Sequence, residues 1–184
     1  MVNDGDDALN VNVDRSYRRG IELLASWKTA KWLTLSGNLT LSQNKIKDYV
    51  DELRDSPTYG QNLGDMTISY SPSVVGSVSA DFHVKGVSLI WNTQYVGKQY
   101  FTNNEVEALS LDAYCVTNLD LGYVYTMSDK RTVRFGVTVN NLFSTLYESN
   151  GYGYSYMWDG ERYDEAFYFP QAPINFLANV TVNF

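Results

Sequence analysis

The chain has 184 residues, with 14 Lys or Arg, 21 Asp or Glu, one His and one Cys, and its formal net charge is −7 at pH 7. One cysteine excludes an internal disulfide, and one histidine with one cysteine falls short of the usual zinc ligand set, so no metal or other cofactor is expected. The acidic balance argues against a nucleic-acid partner, and no apolar run approaches the roughly 20 residues of a transmembrane helix.

Residues 1–13 contain neither the basic region nor the apolar stretch of a signal peptide. We predict an irregular segment here and one structural unit over residues 14–184. A chain that starts in this way is either cytosolic or an internal piece of a longer exported protein.

Apolar and polar residues alternate with a period of two in seven segments, and no long stretch keeps a helical period. In the second segment, for example, Leu33, Leu35 and Leu39 alternate with Thr34 and Ser36. With their ends, the segments match the about 9–11 residues of a tilted transmembrane strand. The predicted strands are residues 16–28, 33–42, 76–84, 87–95, 117–127, 133–140 and 174–184.

The connections between these strands alternate in length. Short turns are predicted at residues 29–31, 85–86 and 128–131, and long loops at residues 47–65, 102–111 and 147–169. Short periplasmic turns at one end and long extracellular loops at the other are typical of an outer-membrane barrel. A soluble β-sandwich, the alternative, has no reason to collect its long loops at one end. We therefore predict an all-β fold of antiparallel transmembrane barrel strands.

Three segments of the chain resemble one known family. They are SYRRGIELLASWKTAKWLTLSGNLTLSQNKI (16–46), VTVNNLFSTLYESNGY (137–152) and PQAPINFLANVTVNF (170–184), and NTQYVGKQY (92–100) lies between the first and second. In this order they resemble the C-terminal strands of a TonB-dependent outer-membrane receptor, in the style of the Bacteroidetes receptors. The resemblance extends over nearly the whole chain.

The resemblance implies a 22-stranded barrel of which this chain supplies the last seven strands, in the outer membrane of a Gram-negative cell. The N-terminal plug and the segment that contacts TonB are absent from this sequence. The implied function is active import of a ferric siderophore, cobalamin or glycan, without enzymatic activity. The implied partners are outer-membrane lipid, the plug and remaining strands, TonB, the barrel assembly machinery and, as a further candidate, a surface lipoprotein. An adhesin or structural barrel is the alternative.

The last predicted loop is the part of the chain richest in aromatic residues. Residues 151–169, GYGYSYMWDGERYDEAFYF, combine these rings with acidic side chains. Such a surface stacks on the ring of a sugar or siderophore while its polar groups orient the ligand. The alternative is packing within the loop and in an outer aromatic girdle. The candidate ligand-binding residues are Tyr152, Tyr154, Tyr156, Trp158, Asp159 and Arg162.

Two other features have functional interpretations. Phe184, a terminal aromatic after an alternating strand, resembles the signal by which outer-membrane barrels are recognised for assembly. The first long loop contains carboxylates of the kind that calcium prefers, although they lack EF-hand spacing and a solvated acidic loop is the simpler interpretation. These carboxylates belong to Asp48, Asp51, Glu52, Asp55 and Asp65.

Polar residues on the second face of the strands are expected to line a substrate path or, as we favour, to bond a plug. They are Glu22, Asn38, Asp81, Gln94, Asn118, Asp120, Arg134 and Asn140. A barrel enzyme is disfavoured because His83 is predicted at a short turn and Cys115 has no second thiol or imidazole to activate it. Asp112 and Asp120 lie about 27 Å apart along an extended strand, too far for a glycosidase pair.

Overall fold

The structure is a computed structural model that describes residues 2–4, 7–9, 13–128 and 131–184. These residues form no helix of the length and apolarity that a membrane crossing requires. Parts of the predicted irregular segment 1–13 and of the predicted turn 128–131 lie outside the described residues. The strands are β1 (Val2–Asp4), β2 (Asp7–Leu9), β3 (Ser16–Ala30), β4 (Leu33–Ile46), β5 (Met66–Thr67), β6 (Val74–Val84), β7 (Val87–Val96), β8 (Gln99–Tyr100), β9 (Ser110–Leu111), β10 (Tyr114–Thr126), β11 (Thr132–Asn140), β12 (Glu148–Trp158), β13 (Glu161–Pro170) and β14 (Asn175–Asn183).

One antiparallel sheet contains all seven strands that the alternation predicts. Its order is β14-β11-β10-β7-β6-β4-β3, and β5 adds a short pairing at the end of β4. The predicted strands are therefore confirmed, with ends that differ by a few residues; the largest extension is in β4, which continues to Ile46. The pair β1 and β2 forms a separate two-stranded sheet at the start of the chain.

The pairing register places like residues opposite each other on both faces of the sheet. On the apolar face, Leu23 pairs with Leu39 and Phe135 pairs with Val180. On the polar face, Asn38 pairs with Ser77, and its amide donates a hydrogen bond of 2.6 Å to the serine hydroxyl. Because a slip of one residue would exchange the two faces, the alternation itself specifies this register.

The apolar face of the sheet is left uncovered by the residues that the structure describes. Its side chains are largely exposed, for example Phe176 at 73%, Val180 at 62% and Ile21 at 61%. Within the described residues no second sheet packs against this face, so the sandwich alternative is wrong. Full burial of one such side chain is worth about 1.5–3 kcal/mol, which makes a bare stripe of them costly in water.

The two ends of the sheet differ as predicted. Lys85 and Gly86, with φ of 48° and 83°, form a two-residue turn between β6 and β7 at what we call the turn end. The long connections lie at the opposite, loop end. One prediction was wrong: residues 147–169 are not an irregular loop, because β12 and β13 pair there as a long β-hairpin.

The buried apolar core lies at the loop end and not behind the sheet. Phe101, Leu109 and Leu111 are exposed by only 6%, 0% and 2%, and Val106 and Ala166 pack against them. We call this cluster the loop core. It joins the 97–113 connection to the β12–β13 hairpin, so these two segments pack together at the loop end.

Candidate functional site

The β12–β13 hairpin forms because its sequence alternates on both sides of a preferred two-residue turn. Asp159 and Gly160 both have positive φ, 50° and 77°, as a type I′ turn requires. Tyr152, Tyr154 and Tyr156 recur with a period of two before this turn. The Asp-Gly pair between alternating segments is a strong hairpin signal, and it predicts strands where we expected a loop.

The hairpin register gathers aromatic side chains on one side, which we call the front face. Tyr152 pairs with Phe167, Tyr154 with Glu165, Tyr156 with Tyr163 and Trp158 with Glu161. The front face therefore consists of Tyr152, Tyr154, Tyr156, Trp158, Glu161, Tyr163, Glu165, Phe167 and Phe169. Four of the six candidate ligand-binding residues share this face, and Trp158 at its tip is 70% exposed.

Stacked rings make the front face a continuous platform. The ring centroids of Tyr152 and Phe167 lie 4.9 Å apart at an interplanar angle of 14°, and those of Tyr156 and Tyr163 lie 5.5 Å apart at 16°. Tyr154 stacks on Phe167 at 6.3 Å and also contacts the Tyr156 ring at 6.2 Å, so it links the two pairs. A stack such as Tyr152–Phe167 is worth about 0.5–1.5 kcal/mol beyond its buried area, so the platform is ordered before any ligand binds.

Glu165 lies in the middle of this platform and is held by two phenols. The hydroxyls of Tyr154 and Tyr156 each donate a hydrogen bond of 2.8 Å to its carboxylate. These bonds lower the pKa of Glu165 and raise the pKa of both tyrosines, because they favour the ionised acid and the protonated phenol. At neutral pH the front face thus presents a fixed carboxylate with two protonated phenols.

The other two candidate ligand-binding residues lie elsewhere. Arg162 is on the opposite, back face, where its guanidinium donates hydrogen bonds of 2.9 Å to Asp164 and 2.8 Å to Ser155. Asp159 is at the exposed tip, in the turn itself. The structure therefore separates Arg162 and Asp159 from the four aromatic candidates. The front face instead contains Glu165, Tyr163 and Phe167. The signal that predicts them is the strand pairing that the Asp-Gly turn imposes.

Two glycines allow the back face to dock on the loop core. A Cβ atom at Gly151 would stand 2.7 Å from Phe101 Cζ, and one at Gly153 would stand 2.8 Å from Leu109 Cδ2. The hydroxyl of Tyr70 also donates a 3.1 Å hydrogen bond to the Gly151 carbonyl. Only glycine admits this approach, so the hairpin is anchored through its back and its front face remains exposed.

The acidic first loop folds around one carboxylate. Asp51 is 2% exposed and accepts hydrogen bonds from the hydroxyls of Thr58 and Ser56 and from the backbone N–H of Leu53. Burial alone would raise the pKa of Asp51, but these three bonds outweigh it and hold the pKa below its ordinary value. Burial, with the charges of Glu52 and Asp51, raises the pKa of Tyr49 to about 12.

This geometry gives the acidic loop an internal structural role. The solvated alternative is wrong for Asp51, whose carboxylate is buried and bonded within its own loop. Among residues 13–128 and 131–184, the structure brings together no group of three side chains suited to hold a metal ion. Asp48 forms an ion pair with Arg15.

The polar face of the sheet carries the residues predicted there, and several bond across strands. Thr138 donates to Asp120 at 2.6 Å, and the Asn118 side chain accepts from the backbone N–H of Asn141 at 2.9 Å. His83 lies 2.6 Å from Asp81 at the turn end. Cys115 is exposed at the start of β10.

Comparison with known proteins identifies what this arrangement is similar to. A family model described as TonB dependent receptor-like, beta-barrel, matches residues 1–142. Among solved structures, the chain is similar to BauA, the ferric preacinetobactin receptor from Acinetobacter baumannii, with a TM-score of 0.65 and 18% identity over 92% of this chain and 22% of that one.

Two further solved structures share the fold. The siderophore receptor PiuA from Acinetobacter baumannii has a TM-score of 0.68 and 14% identity over 91% of this chain and 22% of that one. The ferric yersiniabactin uptake receptor FyuA from Yersinia pestis has a TM-score of 0.59 and 17% identity over 92% of this chain and 24% of that one. The chain thus spans less than a quarter of the length of each structure, and the sheet corresponds to an arc of the barrel.

Proposed function

Because the chain belongs to the TonB-dependent receptor-like β-barrel family, we propose that it forms an arc of an outer-membrane receptor that imports a scarce nutrient with energy from TonB. In this proposal its seven long strands are the last seven of a 22-stranded barrel in a Gram-negative outer membrane. The apolar face contacts lipid, and the polar face contacts a plug. The uncovered apolar face carries the proposal, since hydrocarbon is the surrounding in which that stripe is stable.

The front face of the hairpin is the proposed contact for cargo on the outer side. Its stacked rings offer apolar faces to a flat or cyclic ligand, and its phenols and carboxylates offer hydrogen bonds. The same residues include Glu161 and Glu165 but no Lys or Arg. A cargo whose contacting part is anionic would be repelled, so a neutral glycan or an uncharged or cationic chelate fits this face better.

The family resemblance to ferric-siderophore receptors keeps a metal chelate among the cargo classes, together with cobalamin. The charge of the cargo distinguishes these classes, because the acidic front face favours chelates without net negative charge at the contacting surface. TonB, the barrel assembly machinery and a surface lipoprotein are the proposed protein partners. Phe184 follows β14 and is proposed to form part of the assembly signal, so its deletion should lower the amount of receptor in outer-membrane fractions.

Uptake by the full-length receptor tests the proposed function. Cells that carry this receptor are supplied with single candidate nutrients, and uptake is measured with and without functional TonB. We expect uptake to require TonB and to fall at least tenfold when Tyr152 and Tyr156 are both replaced by Ala. The matched control is Tyr59→Ala, which removes an exposed tyrosine from the first loop. Surface attachment without TonB-dependent uptake would favour the adhesin alternative and contradict import.

A further inference from the structure

Small residues leave a notch in the apolar face across β3, β4 and β6, at one edge of the sheet. Ala25 pairs with Gly37 across β3 and β4, and Ala80 follows on β6. The resulting depression of about 490 Å³ is walled by larger side chains, among them Trp27, Leu35, Val78 and Trp91. The notch opens outward, on the side that the proposed barrel turns toward lipid.

Aromatic side chains connect this notch to the turn end. Trp32 stacks on Phe82 with centroids 6.0 Å apart and an angle of 18°, and Phe82 follows Ala80 on the same face of β6. The Trp91 indole N–H donates to Thr93 at 2.8 Å. The indole N–H groups of Trp27 and Trp32 donate to no residue that the structure describes, so they are available to an ester or phosphate oxygen.

Two lysines lie just beyond this aromatic pair, in neighbouring turns. Lys31 lies in the turn between β3 and β4, Lys85 lies in the turn between β6 and β7, and both are exposed. The turns are held side by side, because His83 N–H donates to the Trp32 carbonyl at 2.9 Å. Their centres are two strands, or about 10 Å, apart. Neither ammonium forms an ion pair with any residue in the described part of the chain.

We propose that this surface binds an anionic phospholipid, with an acyl chain in the notch and the phosphate between Lys31 and Lys85. The proposal rests on the proposed barrel, which turns this face toward the bilayer. Five residues separate Ala80 from Lys85, about 17 Å along an extended strand, or roughly 12–14 Å along the membrane normal at the usual strand tilt, and half of a bilayer's hydrocarbon core is about 15 Å. The notch and the lysines are therefore spaced as the chain and headgroup of one lipid in the leaflet at the turn end.

Charge complementarity selects this occupant over a second copy of the chain. A copy related by symmetry would bring Lys31 and Lys85 close to their equivalents, and like charges at an interface disfavour binding. A zwitterionic lipid would fill the notch but neutralise only part of the charge of the lysines. The anionic headgroup satisfies both lysines and leaves the apolar stripe covered.

The test measures lipid retained by the purified full-length receptor. The protein in detergent is incubated with phosphatidylglycerol or phosphatidylethanolamine, and bound lipid is counted by native mass spectrometry. We expect preferential retention of phosphatidylglycerol, reduced about tenfold or more in K31Q/K85Q, because each basic side chain near an anionic surface adds appreciably to binding. Filling the notch with A25L should reduce retention while the lysines remain.

The matched control is K28Q, which removes a lysine at the same end but on the opposite face, since Lys28 alternates with Trp27. Retention unchanged in K31Q/K85Q, or reduced equally in K28Q, would overturn the proposal, as would a dimer that buries the notch. The import proposal and the lipid-site proposal can be contradicted independently of each other. A receptor that retains lipid but imports nothing contradicts import alone, and one that imports without retaining lipid contradicts the lipid site alone.

Discussion

Side chains alternate between two faces with a period of two in both the central sheet and the loop-end hairpin. The two regions differ in which face contacts protein. In the sheet, no second layer of described residues covers the apolar face, and Val180 and Phe176 are largely exposed. In the hairpin, the face that docks is the one with small residues, Gly151, Gly153 and Ala166, and the aromatic front face remains exposed. Alternation therefore predicts which residues share a face, and the surrounding medium decides what that face contacts.

The sheet and the hairpin also differ in what stabilises them. The sheet depends on backbone pairing and on the medium outside it, whereas the hairpin depends on close packing against Phe101 and Leu109. Changes to the sheet should act on the whole barrel, and changes to the hairpin should act on the outer surface alone. The variants below, all in the full-length receptor, test this contrast.

The largest effect is expected from a charge on the apolar face. Val180→Lys places an ammonium in the centre of the stripe, and we expect a loss of about 2–4 kcal/mol in the free energy of unfolding. Thr181→Lys, one residue on and on the polar face, is the control and should cost far less. The measurement is urea unfolding in lipid vesicles. Equal losses in both variants would show that the two faces are not distinguished by lipid.

A side chain at Gly153 should undock the hairpin without unfolding the barrel. In Gly153→Val the new atoms would overlap Leu109, Phe101 and the Glu165 carbonyl, and relief of such overpacking costs about 1–3 kcal/mol. We expect faster proteolysis within residues 148–170 and an unchanged midpoint for the barrel. Tyr152→Ala, on the front face, should leave the cleavage rate as it is. Protection unchanged in Gly153→Val would contradict the docked geometry.

Removal of the Asp51 carboxylate should loosen the first loop alone. Asp51→Ala leaves the hydroxyls of Ser56 and Thr58 without their acceptor, at about 1–3 kcal/mol for the local structure. Hydrogen exchange of residues 47–65 should accelerate, while the sheet stays protected. In the wild type, the depressed pKa of Asp51 keeps this contribution present above its ordinary value near 3.9, and it is lost as the pH falls through the lowered pKa.

The smallest effect concerns cargo selection at Glu165. Glu165→Gln removes the charge that the front face presents, and we expect a several-fold loss of affinity for a cationic cargo with unchanged stability. Because the pKa of Glu165 is lowered, wild-type affinity should persist to a lower pH than an ordinary glutamate would allow and fall as the pH drops through the lowered pKa, and the variant should lack that fall. Binding measured by calorimetry that is equal in both proteins would remove Glu165 from the contact surface.

Much of this fold could be predicted from the sequence because it depends on residues that are close together in the chain. A period of two in residues 33–42 or 133–140 determines the face of every side chain, and each short turn makes the two strands that it joins neighbours. Residues 147–169 contain conflicting signals, because Asp159 and Gly160 predict a hairpin turn whereas the density of aromatic residues is also typical of an outer loop. The loop core could not be predicted from the sequence, because the contact of Phe101 and Leu109 with Ala166 joins distant parts of the chain.

The candidate site shows the same division. The aromatic half, Tyr152 to Trp158, follows from spacing alone. The distribution of charge depends on residues 161–170 forming a strand: Arg162 and Glu165 are three residues apart and so lie on opposite faces, and the pairing register places Glu165 opposite Tyr154. The acidic character of the front face, on which the proposed choice among cargo classes rests, therefore follows from the structure and not from the residue spacing.

The contact between the apolar face and hydrocarbon is tested most directly by spin labels along β11 of the full-length receptor in lipid vesicles. With Cys115 replaced by Ser, single labels are placed at Val133, Arg134, Phe135, Gly136 and Val137, and the accessibility of each to oxygen and to a water-soluble nickel complex is recorded. We predict an alternation in which residues 133, 135 and 137 are accessible to oxygen and shielded from nickel, with the opposite at 134 and 136. Oxygen accessibility without this period, or nickel access at all five positions, would contradict the account.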